Sequence, residues 1–246
     1  MSDDAVRKIA AAVLYEGHML FPYRLSSLKN RQRWTFGGVY PPAYAAATRE
    51  RSRAFCECLV EGENPAVHAE VRFLHETEER SVGVGPIDEP PGLVSADLQG
   101  NRFTIAITNM SPWAGSDRNE AMRHTYGSAH AILRVDNGRF LSALDSPEPL
   151  RNDGLWPVLV GDEDDRSTML ASPIILPDYP QVASESPGDF FDGCEIDQLL
   201  VLNVLALTDA EKDEIRAGDP RARALLERTE AMRPEELMRL HGTWRS

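Results

Sequence analysis

The stretch AHAILRVDNGRFLSAL, residues 129–144, decides the fold class. Two strand-like runs lie on either side of Asp136-Asn-Gly138. An Asn-Gly pair tolerates the positive φ angles of a tight two-residue turn between antiparallel strands. The stretch therefore predicts a β-hairpin with strands at 129–135 and 139–144.

Strand-like patterns continue on the N-terminal side of this hairpin. Residues 55–61 and 67–75 alternate apolar with polar side chains, as a half-buried strand does. The segment Gly62-Glu-Asn-Pro65 between them is typical of a turn, so the two runs predict a second hairpin. Short runs predict further strands at 103–108, 156–160 and 173–176.

Helical signals are concentrated after residue 191. Thr208 and Glu211 have the spacing of a capping box, in which each residue satisfies a backbone N–H of the other. Helices are predicted at 4–14, 196–207, 209–217 and 221–232, with a last short helix from Pro234. The sequence thus predicts an α+β protein, with a β-rich body of antiparallel sheets followed by a C-terminal helical segment. We divide it into 1–190, the body with its N-terminal helix and a basic aromatic loop, and 191–246, the helical segment packed on that body.

Composition limits the classes of function. The chain of 246 residues carries a formal net charge of −13, which argues against binding to nucleic acid or to anionic membranes. No run approaches the ~18 apolar residues of a membrane helix, so we expect no membrane insertion. The polar start does not resemble a signal peptide, and three cysteines cannot form a disulfide framework. We therefore expect a soluble protein of the bacterial cytoplasm.

A basic aromatic segment is the first candidate binding site. Residues 17–49 contain no acid, although the chain is acidic overall. Guanidinium groups beside aromatic rings bind partners through bidentate hydrogen bonds and stacking. The candidate partner-binding residues here are Tyr23, Arg24, Lys29, Arg31, Arg33 and Trp34. The alternative is a loop whose arginines pair with the chain's own acids, such as the run at 162–165.

The Pro-punctuated segment 172–197 is the second candidate. Prolines lower the entropy cost of holding a loop in one shape, which suits a binding loop that contains Asp178 and Tyr179. It equally suits a strap across the body that leads into the helices. Both interpretations stay open at the level of the sequence.

Signatures of familiar enzymes are absent from the chain. It contains no Gly-rich phosphate loop, no G-x-G-x-x-G, no H-E-x-x-H and no G-x-S-x-G. We therefore assign no catalytic residue and expect no cofactor. One enzymatic alternative remains, a hydrolase-like pocket in which His124 or His130 works with carboxylates.

Cys56-Glu-Cys58 supports a third and weaker hypothesis. On a strand, both thiols project from the same face and can approach one ion, which makes a metal-handling protein an alternative. His68 and His75 are seven residues apart, so a regular strand places them on opposite faces and at most one completes a site. Buried, apolar-like cysteines are the commoner finding, and we assign no metal ligand.

Four segments, 15–41, 152–161, 172–200 and 207–230, carry a resemblance to a known family. They resemble a family of uncharacterised bacterial proteins associated with gene clusters for high-affinity NiFe hydrogenases. The resemblance brings no catalytic residues. It implies a non-enzymatic accessory protein that supports assembly or function of a hydrogenase. The partner would then be a protein such as a hydrogenase subunit or a maturation factor, and the oligomeric state stays open.

Overall fold

The computed structural model describes residues 2–16, 21–24, 26–27, 30, 36–180 and 197–233. Contacts divide the chain into two compact units. The β unit comprises residues 1–14 and 35–181, and the helical unit comprises residues 15–34 and 182–246. Residues 15–34, which the sequence-based boundary assigns to the body, thus group with the C-terminal helices.

The described elements follow one another as α1 (Ser2–Tyr15), α2 (Pro42–Ala47), β1 (Arg53–His75), β2 (Glu78–Val82), β3 (Gly85–Ile87), β4 (Gly92–Gln99), β5 (Arg102–Asn109), α3 (Arg118–Met122), β6 (Gly127–Phe140), β7 (Asn152–Asp153), β8 (Trp156–Leu159), β9 (Thr168–Ser172), α4 (Asp197–Leu205), α5 (Asp209–Ala217) and α6 (Pro220–Glu230). Within these ranges, nine strands form one sheet in the order β3-β4-β5-β1-β6-β9-β8, and β2 and β7 also pair with β1. The strands pair antiparallel, and α4 to α6 follow the sheet in the chain. The predicted α+β class with an antiparallel β-rich body is confirmed.

Two long strands form the centre of the sheet. Strand β1 has 23 residues and β6 has 14, and they pair with each other from residue 60 to residue 74 of β1. The turns predicted at 62–65 and 136–138 are wrong, because both segments lie inside continuous strands. They face each other across the ladder, where residues 63–65 of β1 lie opposite the single residue Asn137 of β6. The result is a bulge near the middle of β1 and near the C-terminal end of β6.

This bulge changes which side chains face the core. In β1 the core-facing positions are even-numbered up to Val60 and odd-numbered from Val67 onward. In β6 they are odd-numbered up to Val135, and Phe140 then follows. Because side chains alternate between faces, only an irregularity in each strand can produce such a switch. Asn64 and Asn137 supply the positive φ angles, 52° and 54°, that the irregularity requires.

The other predicted elements are mostly confirmed. Strands β5 and β8 lie at the predicted positions, as do helices α1, α4, α5 and α6. The strand predicted at 173–176 is wrong, because the strand in this region, β9, ends at Ser172. Ile174 and Leu176 pack beside α1, so their apolar character reflects burial without strand pairing. The helix predicted from Pro234 lies outside the described residues.

Helix α1 covers one face of the sheet. Val6, Ile9, Ala10 and Val13 have the i, i+3, i+4, i+7 spacing of a single helical face. They pack with Ile132 and with residues of β8 and β9. The neighbours of Ile132 in β6 face the main core on the other side, so both faces of this part of the sheet are covered.

The helical unit has its own apolar core. Leu200, Val201 and Val204 of α4 pack with Ile215 of α5 and with residues of α6. The predicted capping box is confirmed at the start of α5, where Thr208 and Glu211 satisfy each other's backbone N–H groups. In the described part of the chain, no helix is long and apolar enough to cross a membrane.

A buried carboxylate fixes the outer surface of β1. The Glu57 side chain is only 1% exposed, because Arg102 and Arg151 cover it. Arg151 donates from Nη2 at 2.6 Å and from Nε at 2.8 Å to one oxygen, and Arg102 donates from Nη1 at 2.7 Å to the other. Hydrogen bonds from Arg151, joined by those from Arg102 and opposed by burial, lower the pKa of Glu57 to about 2.

We expect Gly62→Ala to destabilise the protein by about 2–4 kcal/mol. The φ of Gly62 is 153°, and an added Cβ would lie 2.2 Å from the carbonyl oxygen of Asn137. Gly83→Ala is the control, because its Cβ would meet no atom within 4 Å. Urea unfolding followed by tryptophan fluorescence measures both variants. Equal stability of the two variants would contradict a required glycine at the bulge.

We expect Glu57→Gln to lower the free energy of unfolding at pH 7 by about 2 kcal/mol, because charged hydrogen bonds to two arginines are lost. The matched control is Glu61→Gln on the same strand, whose exposed pair with Arg139 contributes less than about 1 kcal/mol.

The Glu57 effect is expected to depend on pH in one direction. The folded pKa lies below the unfolded value of about 4.3, so the stabilisation is complete above about pH 5. It is lost as the pH falls toward 2, and the difference between wild type and Glu57→Gln should shrink over that range. A difference that stays constant from pH 7 to pH 3 would show that the carboxylate charge is not the cause.

Candidate functional site

The β unit contains an open cleft of about 800 Å³. Four chain segments line it: 75–76 at the end of β1, 88–91 between β3 and β4, 111–113 after β5, and 123–124 after α3. We call it the Trp113 cleft. Its volume lies in the range of sites that bind small molecules or side chains of a partner.

One buried amide joins the segments of this cleft. The Asn109 side chain is fully buried at the end of β5. Its Nδ2 group donates to the carbonyl oxygens of Val39, at 2.9 Å, and His124, at 2.6 Å. Its Oδ1 accepts from the Ser111 N–H at 2.8 Å. A buried amide with both donors and its acceptor engaged has one orientation, so it fixes the walls at 111 and 124.

Three further hydrogen bonds hold the remaining walls. The buried Tyr126 hydroxyl donates to the Pro90 carbonyl at 2.7 Å, and burial raises the pKa of that hydroxyl. The Met110 N–H donates to the Pro91 carbonyl at 2.8 Å. The Nε2–H of His75 donates to the Arg123 carbonyl at 2.9 Å. These bonds connect segment 88–91 to residues 110 and 126, and segment 75–76 to segment 123–124.

A row of aromatic rings ends in the cleft. Tyr40 and Tyr44 stack with ring centroids 5.5 Å apart, and Trp113 follows at 6.1 Å from Tyr44. His124 stacks on Trp113 at 5.6 Å with an interplanar angle of 25°. The two tyrosines are buried with Ala121, whereas Trp113 and His124 are half-buried at the cleft wall. Tyr44 and His124 both contact the indole, which is half-buried and so stays partly accessible in the cleft.

The cleft carries an excess of negative charge. Its lining contains three carboxylates, Glu76, Asp88 and Glu89, against the single guanidinium of Arg123. Arg123 is already engaged by Glu76 at 3.6 Å and by Glu120 at 3.4 Å. Asp88 and Glu89 are exposed, and neither forms an ion pair with any residue of the described ranges.

The predicted basic aromatic segment is only partly described. Tyr23 is 2% exposed in the core of the helical unit. Arg24 pairs with Glu211 at 3.0 Å and with Glu214 at 3.8 Å, so it binds the chain's own acids. These acids differ from the run at 162–165 that the sequence suggests. The other four candidates, Lys29, Arg31, Arg33 and Trp34, lie outside the described residues.

Asp178 and Tyr179 are held against β8. The Asp178 carboxylate accepts hydrogen bonds from the Ser142 hydroxyl and from the Leu159 N–H, the latter at 2.8 Å. The Tyr179 N–H donates to the Leu159 carbonyl at 2.7 Å, and its ring packs against the main core. Both residues therefore have a structural role that matches the strap interpretation of this segment.

The two histidines of the enzymatic alternative are in different environments. His124 lines the cleft together with carboxylates, as that alternative requires. His130 is fully buried, and its Nδ1–H donates to the Ser128 carbonyl at 2.8 Å. Burial lowers the pKa of His130 to about 4, so the ring is neutral at pH 7. The described residues do not assemble a relay of Ser128, His130 and a carboxylate, because none of them forms a hydrogen bond with the Ser128 hydroxyl or with the His130 Nε2.

Cys56 and Cys58 belong to the core of the β unit. Both side chains are at most 1% exposed, and burial raises the pKa of both thiols, that of Cys58 to about 12. His68 binds Asp136 instead, and His75 lies at the Trp113 cleft. Among the residues that the structure describes, no group of three His, Cys, Asp or Glu side chains is arranged to hold a metal ion. Cys194 lies outside those residues.

Sequence reasoning missed Trp113, Asp88 and Glu89. The sequence predicts only a loop for PIDEPPG at 86–92. The sequence does contain a local signal, because two acids followed by two prolines are typical of a rigid, exposed loop. The sequence does not show that this loop lies close to Trp113 in the folded protein. The pairing of β4 with β5 places Gly92 opposite Asn109, and this brings the loop to the segment that contains Trp113.

Comparison with known proteins does not assign the cleft. No protein-family model matches the chain, and no curated protein matches it. The chemistry of the site therefore has to be inferred from its own geometry.

We expect the two core cysteines to resist thiol reagents in the folded protein, because burial keeps them protonated and inaccessible. In a Cys194→Ser background, reaction with an aromatic disulfide reagent at pH 8 should be at least ~100-fold slower than in urea-unfolded protein. Rapid labelling of the folded protein would contradict their placement in the core and restore the metal-handling alternative.

Proposed function

We propose that this protein is a non-enzymatic accessory protein that binds a protein partner through the Trp113 cleft. The observation that supports this most directly is a concave surface with a hydrogen-bonded backbone, a half-buried indole and two carboxylates, Asp88 and Glu89, without an ion-pair partner in the described ranges. Binding sites combine such a fixed apolar wall with a few polar groups that orient the ligand. A preformed site also avoids the entropy cost of ordering on association.

The arrangement of the histidines favours binding over catalysis. A general base needs access to a proton of the substrate, and a third group commonly orients it. His75 uses its Nε2–H on the Arg123 carbonyl, and His124 stacks on Trp113. Neither ring is hydrogen-bonded to a carboxylate in the part of the chain described by the structure.

A hydrolase-like enzyme is the second candidate. It is favoured by one specific observation, namely that His124 shares the cleft with Glu76, Asp88 and Glu89. If a substrate displaced His124 from Trp113, the imidazole and the carboxylates of the cleft could act on the same bond of that substrate. The binding proposal needs no such rearrangement, which is why we place it first.

The proposed partner follows from the family resemblance and from charge. The resemblance supports a hydrogenase subunit or a maturation factor, in the cytoplasm where hydrogenases are assembled. The net charge of −13 supports a partner whose contact surface is basic, because complementary potentials speed association and exclude wrong partners. The basic segment with Arg31 and Arg33 remains a second proposed contact region.

We expect the tagged protein, purified from its native cells, to bring down a hydrogenase subunit or a maturation factor that mass spectrometry identifies. Charge reversal in the cleft, by Asp88→Lys with Glu89→Lys, should reduce recovery of that partner at least ~tenfold. The control is Asp162→Lys with Glu163→Lys, which changes net charge equally at exposed positions outside the cleft.

Each outcome of this purification has a defined meaning. If the wild-type chain recovers no hydrogenase component, the accessory role is wrong. If the cleft and control variants recover the partner equally well, the partner does not use the cleft. In that case, loss of the partner in Arg31→Glu with Arg33→Glu would assign docking to the basic segment.

A further inference from the structure

We infer that the Trp113 cleft binds an arginine side chain presented by the partner. The inference rests on the proposed function and adds the chemistry of recognition to it. Three features of the cleft carry it: a half-buried aromatic wall formed by Trp113 and His124, two carboxylates without an ion-pair partner among the described residues, and an apolar rim.

The aromatic row is capped by a cation at one end only. Arg118 lies over the Tyr40 ring, with its guanidinium carbon 5.9 Å from the ring centroid. At the other end, the row finishes with the half-buried His124 ring, which stacks on Trp113 in the cleft, and no cation of the described residues lies over the indole. Tryptophan is the best aromatic partner for a cation, and guanidinium groups stack on it face to face. The accessible parts of Trp113 and His124 line the cleft, so a guanidinium can contact aromatic surface there as Arg118 does at the Tyr40 end.

The charges of the cleft select a cation and leave room for it. Arg123 is shared between Glu76 and Glu120, so it does not neutralise the neighbouring loop. Asp88 and Glu89 thus remain available in the cleft that Trp113 also lines. Two adjacent carboxylates match the five fixed N–H donors of a guanidinium better than the compact, strongly hydrated ammonium of lysine.

The rim supplies the surface that the stem of an arginine needs. Met110 is 58% exposed and lies beside Ser111, and its N–H binds the carbonyl of Pro91. Pro91 and Pro112 are also exposed around the opening. Long charged side chains cover apolar surface with their methylene groups while the charged end makes polar contacts. An arginine can therefore contact the rim, the indole and the carboxylates at once.

The test uses the full chain and fluorescein-labelled peptides. The probe is Gly-Arg-Gly-Arg-Gly-Arg, compared with the same peptide containing lysine or citrulline, which has nearly the shape of arginine without its charge. Fluorescence anisotropy at about 50 mM salt measures binding. We expect saturable binding of the arginine peptide, binding of the lysine peptide weaker by ~fivefold, and binding of the citrulline peptide weaker by more than ~20-fold.

Variants assign the binding to the cleft. Asp88→Asn with Glu89→Gln should weaken binding of the arginine peptide about tenfold, and Trp113→Leu should weaken it by a similar factor. Trp113→Phe retains a ring and should recover part of the affinity, which separates loss of stacking from loss of folding. Asp162→Asn with Glu163→Gln changes net charge by the same amount as the first pair and should stay within ~twofold of wild type.

Several results would overturn the inference. Equal binding of the citrulline peptide would exclude recognition of charge, and equal binding of the lysine peptide would exclude recognition of a guanidinium. An equal loss in the Asp162/Glu163 control would show general attraction to an acidic protein. If the native partner depends on the cleft but the arginine peptide does not bind, this inference fails and the proposed function stands. If the peptide binds as expected and no hydrogenase component is recovered, the proposed accessory role fails and the inference about arginine binding stands.

Discussion

The bulge between β1 and β6 is the constraint on which the β unit depends. Strand β1 pairs with β5 along its first part and with β6 along its second part, so one strand must present apolar side chains to the same core on both sides of residues 62–65. In a regular strand, the core-facing residues would stay even-numbered along its whole length. In β1 they are odd-numbered after the bulge. The irregularity corrects this mismatch. Without it, residues 67–73 of β1, which lead to the cleft wall at 75–76, would turn their apolar side chains away from the core.

Local signals predicted the class of fold and most of its elements. Alternation predicted strands, and caps such as Thr208 predicted helix boundaries, because both depend on neighbouring residues. The connection at 62–65 has the sequence of a turn because turns and bulges need the same residues, Gly and Asn with positive φ. Residues 173–176 have the pattern of a strand because burial beside a helix requires the same apolar side chains. The local sequence does not distinguish a turn from a bulge, or a strand from a segment buried beside a helix. The difference depends on which distant residues pack or pair with the segment.

The candidate site was predicted only in fragments for the same reason. The sequence marks His75 as a candidate metal ligand and His124 as a candidate catalytic residue, but their common location depends on the path of β1 and on the short helix α3. Arg24 lay in a segment without acids, and its partners Glu211 and Glu214 are distant in sequence. Whether a charge is neutralised within the chain is a property of the fold. Composition alone, including a net charge of −13, does not show it.

Glu57 and the Asp88–Glu89 pair show how the same chemical group serves two purposes in this chain. Glu57 is enclosed by two guanidinium groups that satisfy it, so its charge is used within the structure and is hidden from a partner. Asp88 and Glu89 directly precede Pro90 and Pro91, whose carbonyls accept hydrogen bonds from the Tyr126 hydroxyl and the Met110 N–H, and both acids are exposed. Because hydrogen bonds already hold this backbone, little ordering is needed when a cation binds. Less of the favourable electrostatic free energy of association is then offset by lost entropy. The contrast is the physical reason to look for recognition at the cleft and for stability at Glu57.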